Sequence, residues 1–295
     1  MSRPFDTFVG IDLGGARGKS TAVARLTRAE DGVAVVESVG TRSGNSPWYD
    51  EVLIAHLRDL PPRSVIAVDA PLTLPACIRC TEPVCPGQLH CADPAVVWLN
   101  TIGVELVQAN AIADRDRIAA VPAGSNRTAA RAPRSPRARP LLTPYTHRPT
   151  AVHLRHARGI KTRETLGQGS GPITARATHL RRALTGHGYT LNENLIEVSP
   201  HATVHALFGH RKARGYKRDA DPWETRAEIV ERLSPTLRFA PTSCFSREQV
   251  LRNDHCFEAV LSAYTAYLWA RDDWQLPQAD VFHGDGHIWA PPDAD

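Results

Sequence analysis

The sequence lacks the two kinds of segment that would take a protein into or across a membrane. No run of about 18 apolar residues occurs among its 295 residues, which excludes a transmembrane helix. We do not expect the N-terminal stretch to be a signal peptide, because Asp6 and Asp12 interrupt its short apolar run and no small-residue cleavage site follows. We therefore expect a cytoplasmic protein that has no membrane partner and whose cysteines stay reduced.

Acidic residues are absent from one long stretch of the chain. Between Arg117 and Arg163 there is no Asp or Glu, although the whole chain carries a net charge of only +4, so the remaining residues are net acidic. The eleven basic residues of the stretch are Arg117, Arg127, Arg131, Arg134, Arg137, Arg139, Arg148, Arg155, Arg158, Lys161 and Arg163. A basic segment on an acidic body favours a polyanionic partner such as nucleic acid, although a solvated arginine-rich loop would have the same composition.

The apolar pattern predicts an α/β fold. Apolar segments at 7–13, 19–26 and 33–39 follow one another closely, and Asp31-Gly32 is a typical hairpin turn, so the chain begins with a three-stranded antiparallel meander. Two further strands, which the pattern indicates are buried, are expected at 64–69 and 194–198. The expected helices are 48–60, 94–112, 172–186, 200–208, 222–233 and 253–270, with an extended tail at 286–291.

One segment interrupts this regular pattern. Because no internal repeat is present, we expect a single domain over residues 1–295 with an insertion at 73–165. The insertion contains a cysteine-rich loop at 77–91 and a basic loop, rich in proline and alanine, at 121–150.

Acidic residues stand at the ends of three predicted strands and on one predicted helix. Asp12, Asp69 and Glu197 end strands, so their carboxylates meet at one edge if the strands lie side by side. Asp254 and Glu258 are four residues apart and share a helix face. The strand-end acids also have simpler explanations, since the two aspartates could bond turn amides and Glu197 could pair with an arginine such as Arg176. The two helix acids could be a cap and a surface residue.

A cluster of carboxylates repels itself unless cations neutralise the charge. Mg²⁺ and Mn²⁺ are the hard cations that prefer oxygen ligands, and we expect one of them at Asp12, Asp69 and Asp254. Two such ions about 4 Å apart can clamp the attacking and leaving oxygens in phosphodiester cleavage. The acids therefore predict a metal-dependent catalytic site.

Four short motifs carry a resemblance to a known family: GIDLGG at 10–15, VDAPL at 68–72, EVSPHA at 197–202 and DHCFEAV at 254–260. In this order they resemble the DUF429 family, which is predicted to be nuclease-like with an RNase H-like fold. The resemblance implies a mixed sheet, with antiparallel and parallel strands, flanked by helices. It also implies acidic metal-binding positions at Asp12, Asp69, Glu197, Asp254 and Glu258, and we expect these five residues to be the catalytic acids. The sequence departs from the family pattern at Ser199, where histidine is usual, and at Glu258, where aspartate is usual.

Four cysteines of the insertion are closely spaced. Cys77, Cys80, Cys85 and Cys91 lie within fifteen residues, which resembles a zinc knuckle, and His90 is an alternative fourth ligand. Zinc knuckles also bind single-stranded nucleic acid. Four thiolates could instead hold an iron–sulfur cluster. The other two cysteines, Cys244 and Cys256, have no paired spacing and are expected to be buried small residues.

Several basic residues are candidates for contacting substrate phosphates. The segment at 14–20 is one residue short of a P-loop, but its Arg17 and Lys19 lie beside Asp12 in the chain, and Arg148 and Arg176 complete the predicted substrate-binding set. No HExxH motif is present among the thirteen histidines. The best candidate for a general base is His255, next to Asp254.

These observations favour a nuclease that uses Mg²⁺ or Mn²⁺ and carries a second metal, Zn²⁺ or an iron–sulfur cluster, at its cysteines. Two other functions stay open. A non-catalytic nucleic-acid-binding protein would use the zinc loop and the basic stretch for salt-sensitive binding. A small-molecule kinase of the actin-like superfamily would share the GIDLGG motif, but 295 residues are few for its duplicated pattern.

Overall fold

The structure is a computed structural model that describes residues 2–15, 21–110, 142–167, 169–241 and 244–292. The predicted substrate contacts Arg17 and Lys19 lie outside the described residues, as do positions 121–141 of the predicted basic loop and the side chain of Cys244.

Short strands alternate with helices along the chain. The strands are β1 (Thr7–Asp12), β2 (Ala22–Arg28), β3 (Ala34–Gly40), β4 (Arg42–Ser43), β5 (Ser46–Pro47), β6 (Ser64–Val68), β7 (Leu195–Val198), β8 (Leu237–Phe239) and β9 (Ile288–Trp289). Seven of them form one mixed sheet in the order β8–β3–β2–β1–β6–β7–β9, and β4 pairs with β5 separately. The predicted mixed sheet is confirmed: β1, β2 and β3 form an antiparallel meander, and β6, β7 and β9 continue from β1 in parallel.

Ten helices are labelled here in chain order. They are α1 (Asp50–Arg58), α2 (Ala76–Arg79), α3 (Pro94–Trp98), α4 (Pro149–Ala157), α5 (Gly171–Thr185), α6 (Pro200–Arg218), α7 (Pro222–Leu233), α8 (Cys244–Arg252), α9 (Asp254–Arg271) and α10 (Val281–Asp285). A π-helical turn, Leu99–Gly103, joins α3 to helical residues 104–110. No helix among the described residues is long and apolar enough to cross a membrane.

The two faces of the sheet pack against different helices because side chains alternate along each strand. On β1, Phe8 faces the core that contains α9, whereas Val9 and Ile11 face the core that contains α5. Helix α9 packs across β1, β2 and β6 and is apolar around most of its surface, as expected for a helix buried in the core. The sheet therefore lies between two helical layers, and the carboxyl ends of β1, β6 and β7 lie along one edge.

Several elements differ from the sequence prediction. Helices α4 and α8 and strand β8 were not predicted, because β8 has only three residues and the two helices have weak apolar patterns. The predicted helix 200–208 corresponds to the first part of α6, since Gly209 at φ 81° and ψ 169° breaks the helical geometry there.

The predicted insertion has its own apolar cluster. Trp98 and Leu99 pack with Leu142, Val152 and Phe282, so α3, α4 and α10 share a small core beside the sheet. The cysteine-rich segment begins within α2, which contains Cys77, and ends before α3, at the surface of this cluster.

Candidate metal centre at the carboxyl edge of the sheet

A glycine in β1 allows helix α9 to approach the sheet closely. A Cβ atom at Gly10 would lie 2.0 Å from the carbonyl oxygen of Ala259 and 2.3 Å from the amide nitrogen of Ala263. Only glycine fits this contact without displacing backbone. The close approach brings Asp12, two residues later on the same face of β1, next to the first turns of α9.

Three side chains meet there. Asp12 and Glu258 are buried, and His255 is partly exposed. The Nδ1 atom of His255 lies 2.6 Å from Oδ2 of Asp12. One ligand atom from each of Asp12, His255 and Glu258 lies within 4.8 Å of the other two, which is the spacing a bound cation would need. Helix α9 holds His255 in place partly through its N-cap, since the Asn253 side chain accepts a hydrogen bond from the His255 amide.

Glu258 has two further partners from the end of helix α6. The Tyr216 hydroxyl donates to Oε1 at 2.7 Å, and the Lys217 ammonium lies 2.6 Å from Oε2. Hydrogen bonds of this kind fix the orientation of a carboxylate and leave lone pairs for another ligand. Neither residue could be recognised from the sequence, because neither lies near an acidic motif in the chain.

Asp69 adds another carboxyl group to this region. Its amide donates to the Ile11 carbonyl at 2.8 Å, which continues the pairing of β6 with β1. Burial, with the negative charges of Glu258 and Asp12 in smaller part, raises the pKa of Asp69 to about 8. Arg163 acts in the opposite direction, and this charge contact is the observation that connects Arg163 with the site.

The pKa values of the other groups reflect the same crowding. Burial and the charge of Asp12 raise the pKa of Glu258, although Lys217 opposes this shift. The hydrogen bond to Asp12 raises the pKa of His255 above its usual value. The partly buried Asp69 and the buried Glu258, beside an aspartate–histidine pair, would therefore gain from a nearby cation, which would stabilise their ionised forms.

The donor set fits a divalent cation. Carboxylate oxygens suit Mg²⁺ and Mn²⁺, and an imidazole nitrogen shifts the preference toward Mn²⁺ and the later transition metals. Asp12 and Glu258 supply the oxygens and His255 the nitrogen. Glu258 replaces the shorter aspartate of the family pattern, yet its carboxylate lies within the group.

Glu197 is not part of this group, which corrects the expectation that all three strand-end acids converge. Its neighbours Ile196 and Val198 face the α9 core, so alternation turns Glu197 to the opposite face from Asp12. There the Arg148 guanidinium forms two hydrogen bonds of 2.8 Å with its carboxylate, and the Leu72 amide donates a third at 2.8 Å.

The two described arginines of the predicted substrate-binding set are likewise used inside the protein. Arg148 is buried and paired with Glu197, and not with a substrate. Arg176, which the sequence offered as a partner of Glu197, instead bonds Asp50 at 2.6 Å and the carbonyls of Gly14 and Trp48. It thus ties the end of β1 to the start of α1.

Asp254 and Ser199, two residues of the motifs, both lie at the start of a helix. Asp254 begins α9, and neither Asp254 nor Asp69 is among the three grouped ligands, so Asp12 alone of the predicted metal-binding aspartates lies in the group. Asp69 is connected with the group through charge, since Asp12 and Glu258 contribute to its raised pKa. Ser199, at the family's usual histidine position, is the N-cap of α6 and accepts a hydrogen bond from the Ala202 amide.

The four clustered cysteines line a single cavity of about 830 Å³ at the protein surface. Burial, with contributions from the other three thiols, raises the pKa of Cys77. Among the described residues, however, their sulfur atoms are not drawn together as closely as the ligands at Asp12. Cys256 is buried, as predicted from its lone position.

The fold and the site define a mixed α/β protein with a candidate metal centre at the carboxyl edge of its sheet. Residues 10–281 match the model of the family described as "Protein of unknown function (DUF429)", and the chain therefore belongs to this family. No curated protein matches the chain. No solved structure matches it either.

Proposed function

We propose that the protein is a cytoplasmic, divalent-metal-dependent phosphodiesterase that hydrolyses nucleic acid on an RNase H-like fold. The observation that carries the proposal is the group formed by Asp12, His255 and Glu258, with ligand atoms within 4.8 Å. Asp69 supports it, because the charges of Glu258 and Asp12 contribute to its raised pKa, as expected for a further carboxyl group close to the other two. The order of the strands, with the meander beside parallel strands, also supports this fold class.

A bound Mg²⁺ or Mn²⁺ would polarise a phosphoryl oxygen and lower the pKa of the attacking water. Asp12 and Glu258 would hold it, with Asp69 completing the carboxylate set. Asp12 accepts from Nδ1 of His255, which leaves Nε2 to take a proton from water. In this role His255 would be the general base, and the carboxylates alone would hold the cation.

Nearby basic groups would orient the site and the substrate. Lys217 and Tyr216 hold the carboxylate of Glu258, so they would act as positioning residues. Arg163 is exposed and interacts with Asp69 through its charge, which suits contact with a substrate phosphate. None of these three residues belongs to the substrate-binding set that the sequence predicted.

The proposal includes a second metal, Zn²⁺, at Cys77, Cys80, Cys85 and Cys91. Four thiols around one cavity match the donor set of a structural zinc site. An iron–sulfur cluster uses the same four ligands and is the alternative.

One observation favours a non-catalytic nucleic-acid-binding protein instead. The ammonium group of Lys217 already balances the charge of Glu258, so part of the acidic group is neutralised without a cation. In that case the acids would have a structural role, and binding would persist without turnover. The kinase alternative gains no comparable support, since the described residues form one seven-stranded sheet and not a duplicated pair.

A cleavage assay with matched variants tests the proposal. Single- and double-stranded DNA, RNA and hybrid substrates are incubated with Mn²⁺, Mg²⁺ or EDTA. We expect cleavage that needs the divalent ion, that Asp69→Asn abolishes, and that Asp254→Asn leaves within a few-fold of the wild type. Circular dichroism checks that each variant is folded. Binding without cleavage under every metal condition would overturn the hydrolase and favour the binding protein.

A further inference from the structure

A second feature of the same edge is a basic cavity on the opposite face of the sheet. It has a volume of about 440 Å³ and opens to the surface. Its polar lining consists of three arginines and three threonines: Thr73, Arg79, Thr178, Arg181, Arg182 and Thr185. No acidic residue is among the described residues that line it.

Helix α5 supplies one wall of this arginine pocket. Thr178, Arg181, Arg182 and Thr185 follow the spacing i, i+3, i+4 and i+7, which places them on one face of the helix. The opposite wall comes from the segment after β6 and from α2. The pocket is thus built by two separate elements and is not one row of surface residues.

The guanidinium groups differ in how far their charges are balanced. Arg79 is paired with Asp285 at 2.7 Å and with Asp93 at 3.5 Å. Arg181 donates to the Leu72 carbonyl at 2.9 Å and has no ion pair within the described residues. Arg182 is exposed and makes neither a hydrogen bond nor an ion pair within the same part of the chain. The charge of Arg182 is thus unbalanced within the described residues, and that of Arg181 is balanced only in part, by Glu197, so the pocket favours an anionic ligand.

The hydroxyl groups have a more limited role. Thr178 and Thr185 donate to backbone carbonyls one turn earlier, and Thr73 donates to the Asp285 carbonyl. They shape a polar wall, while Arg181 and Arg182 provide the N–H donors. Burial lowers the pKa of Arg181, the negative charge of Glu197 opposes this shift, and the charges of Arg148 and Arg79 add to it in smaller part.

The arginine pocket connects directly with the carboxyl edge of the sheet. Leu72, three residues after Asp69, gives its carbonyl to Arg181 and its amide to Glu197. The chain thus passes from the candidate metal centre to the pocket over a few residues. A polynucleotide that reached both places would have to pass over this edge from one face of the sheet to the other.

We infer that the arginine pocket is a phosphate subsite that binds the backbone of the polynucleotide whose cleavage is proposed above. This inference rests on the proposed function for the identity of the ligand. Guanidinium groups bind phosphate oxygens with paired N–H donors, so arginine is well suited to this role at positions 181 and 182.

The test measures binding without turnover. Full-length protein is titrated without added Mg²⁺ or Mn²⁺, and without a chelator that would remove the cysteine-bound metal, into a fluorescein-labelled single-stranded oligonucleotide at several salt concentrations. We expect Arg182→Gln to weaken binding about tenfold and to reduce the slope of log affinity against log salt by about 0.7, the value for one lost phosphate contact on a single strand. Arg58→Gln is the charge-matched control, because Arg58 is exposed at the end of α1. It should change neither quantity.

A second variant and a competitor complete the experiment. Thr185→Glu places a negative charge in the pocket from an exposed position and should weaken binding at least as much as Arg182→Gln. Inorganic phosphate should compete for the wild type more strongly than for Arg182→Gln. Equal binding by Arg182→Gln and Arg58→Gln would overturn the subsite even if the wild type cleaves nucleic acid. A specific loss in Arg182→Gln without any cleavage would keep the subsite and overturn the hydrolase.

Discussion

Gly10 of strand β1 lies directly against the backbone of Ala259 in helix α9, at a distance that leaves no room for a Cβ atom. The contact sets how close the helix comes to the sheet. It therefore also sets the separation of Asp12, on the strand, from His255 and Glu258, on the helix.

The first prediction concerns this contact. Gly10→Ala should destabilise the fold by about 1–3 kcal/mol or more, because the added methyl group meets backbone atoms that cannot rotate away. Urea denaturation measures the free energy of unfolding. Gly171→Ala is the control, since its Cβ would meet nothing within 4 Å. Equal effects of the two substitutions would contradict the role of Gly10 in the helix approach.

The second prediction concerns the protonation of His255. The hydrogen bond to Asp12 raises the pKa of His255 above 6.5 in the folded protein. The protonated form thus contributes stability that is fully present below pH 6.5 and is lost as the pH rises through the folded pKa. In Asp12→Asn the pKa should fall, because burial then opposes the charged form. Proton NMR titration of the imidazole measures it.

Asp6→Asn provides the control for this titration, since Asp6 is exposed at the other end of β1. The pKa of His255 should match the wild type in this variant. If Asp12→Asn and Asp6→Asn gave the same pKa, the coupling between Asp12 and His255 would be absent in solution.

The third prediction concerns the buried pair of Arg148 and Glu197. Arg148→Met should cost about 3–5 kcal/mol, because it leaves a buried carboxylate without its cation. The double variant Arg148→Met/Glu197→Gln should be more stable than Arg148→Met alone, since glutamine is neutral and can still accept from Leu72. Urea denaturation compares these two variants with Glu197→Gln alone. If the losses of the two single variants added up to that of the double variant, the two side chains would not interact.

The convergence of the acids could be predicted from the sequence only in part. Strand ends at Asp12, Asp69 and Glu197 indicate one edge, which the structure confirms. They do not indicate the face, because this depends on where each strand's alternation begins. The side chains of Ile196 and Val198 are buried on the α9 side of the sheet. Because side chains alternate along a strand, Glu197 between them lies on the other side.

Other parts of the site could not be predicted because they depend on tertiary packing. Tyr216 and Lys217 reach Glu258 from the end of α6, beyond the kink at Gly209. Their sequence surroundings are those of a basic, solvated helix, and they contain no acidic motif. Arg148 looked like a member of a basic run, and only the fold reveals its buried partner.

The fourth prediction concerns the cysteine cluster. Protein purified without chelators should contain one Zn²⁺ per chain, because four thiols line a single cavity. Cys80→Ser should lose this metal, whereas Cys256→Ala, which lies in the core, should retain it. Atomic emission spectroscopy measures both. Bound iron with sulfide would favour the cluster alternative, and folded wild type without either metal would contradict the site.

The measurement that tests the central claim most directly is calorimetric titration of Mn²⁺ into the wild type, Asp12→Asn and Asp254→Asn. We expect the wild type to bind Mn²⁺, more tightly at pH 8 than at pH 6, because the pKa of Asp69 is raised to about 8 and a bound cation would favour its ionised form. Asp12→Asn should weaken binding at least about tenfold, in line with the loss of a ligand, whereas Asp254→Asn should bind like the wild type. Wild-type protein without Mn²⁺ affinity, or equal affinities of the two variants, would contradict a metal centre at Asp12, His255 and Glu258.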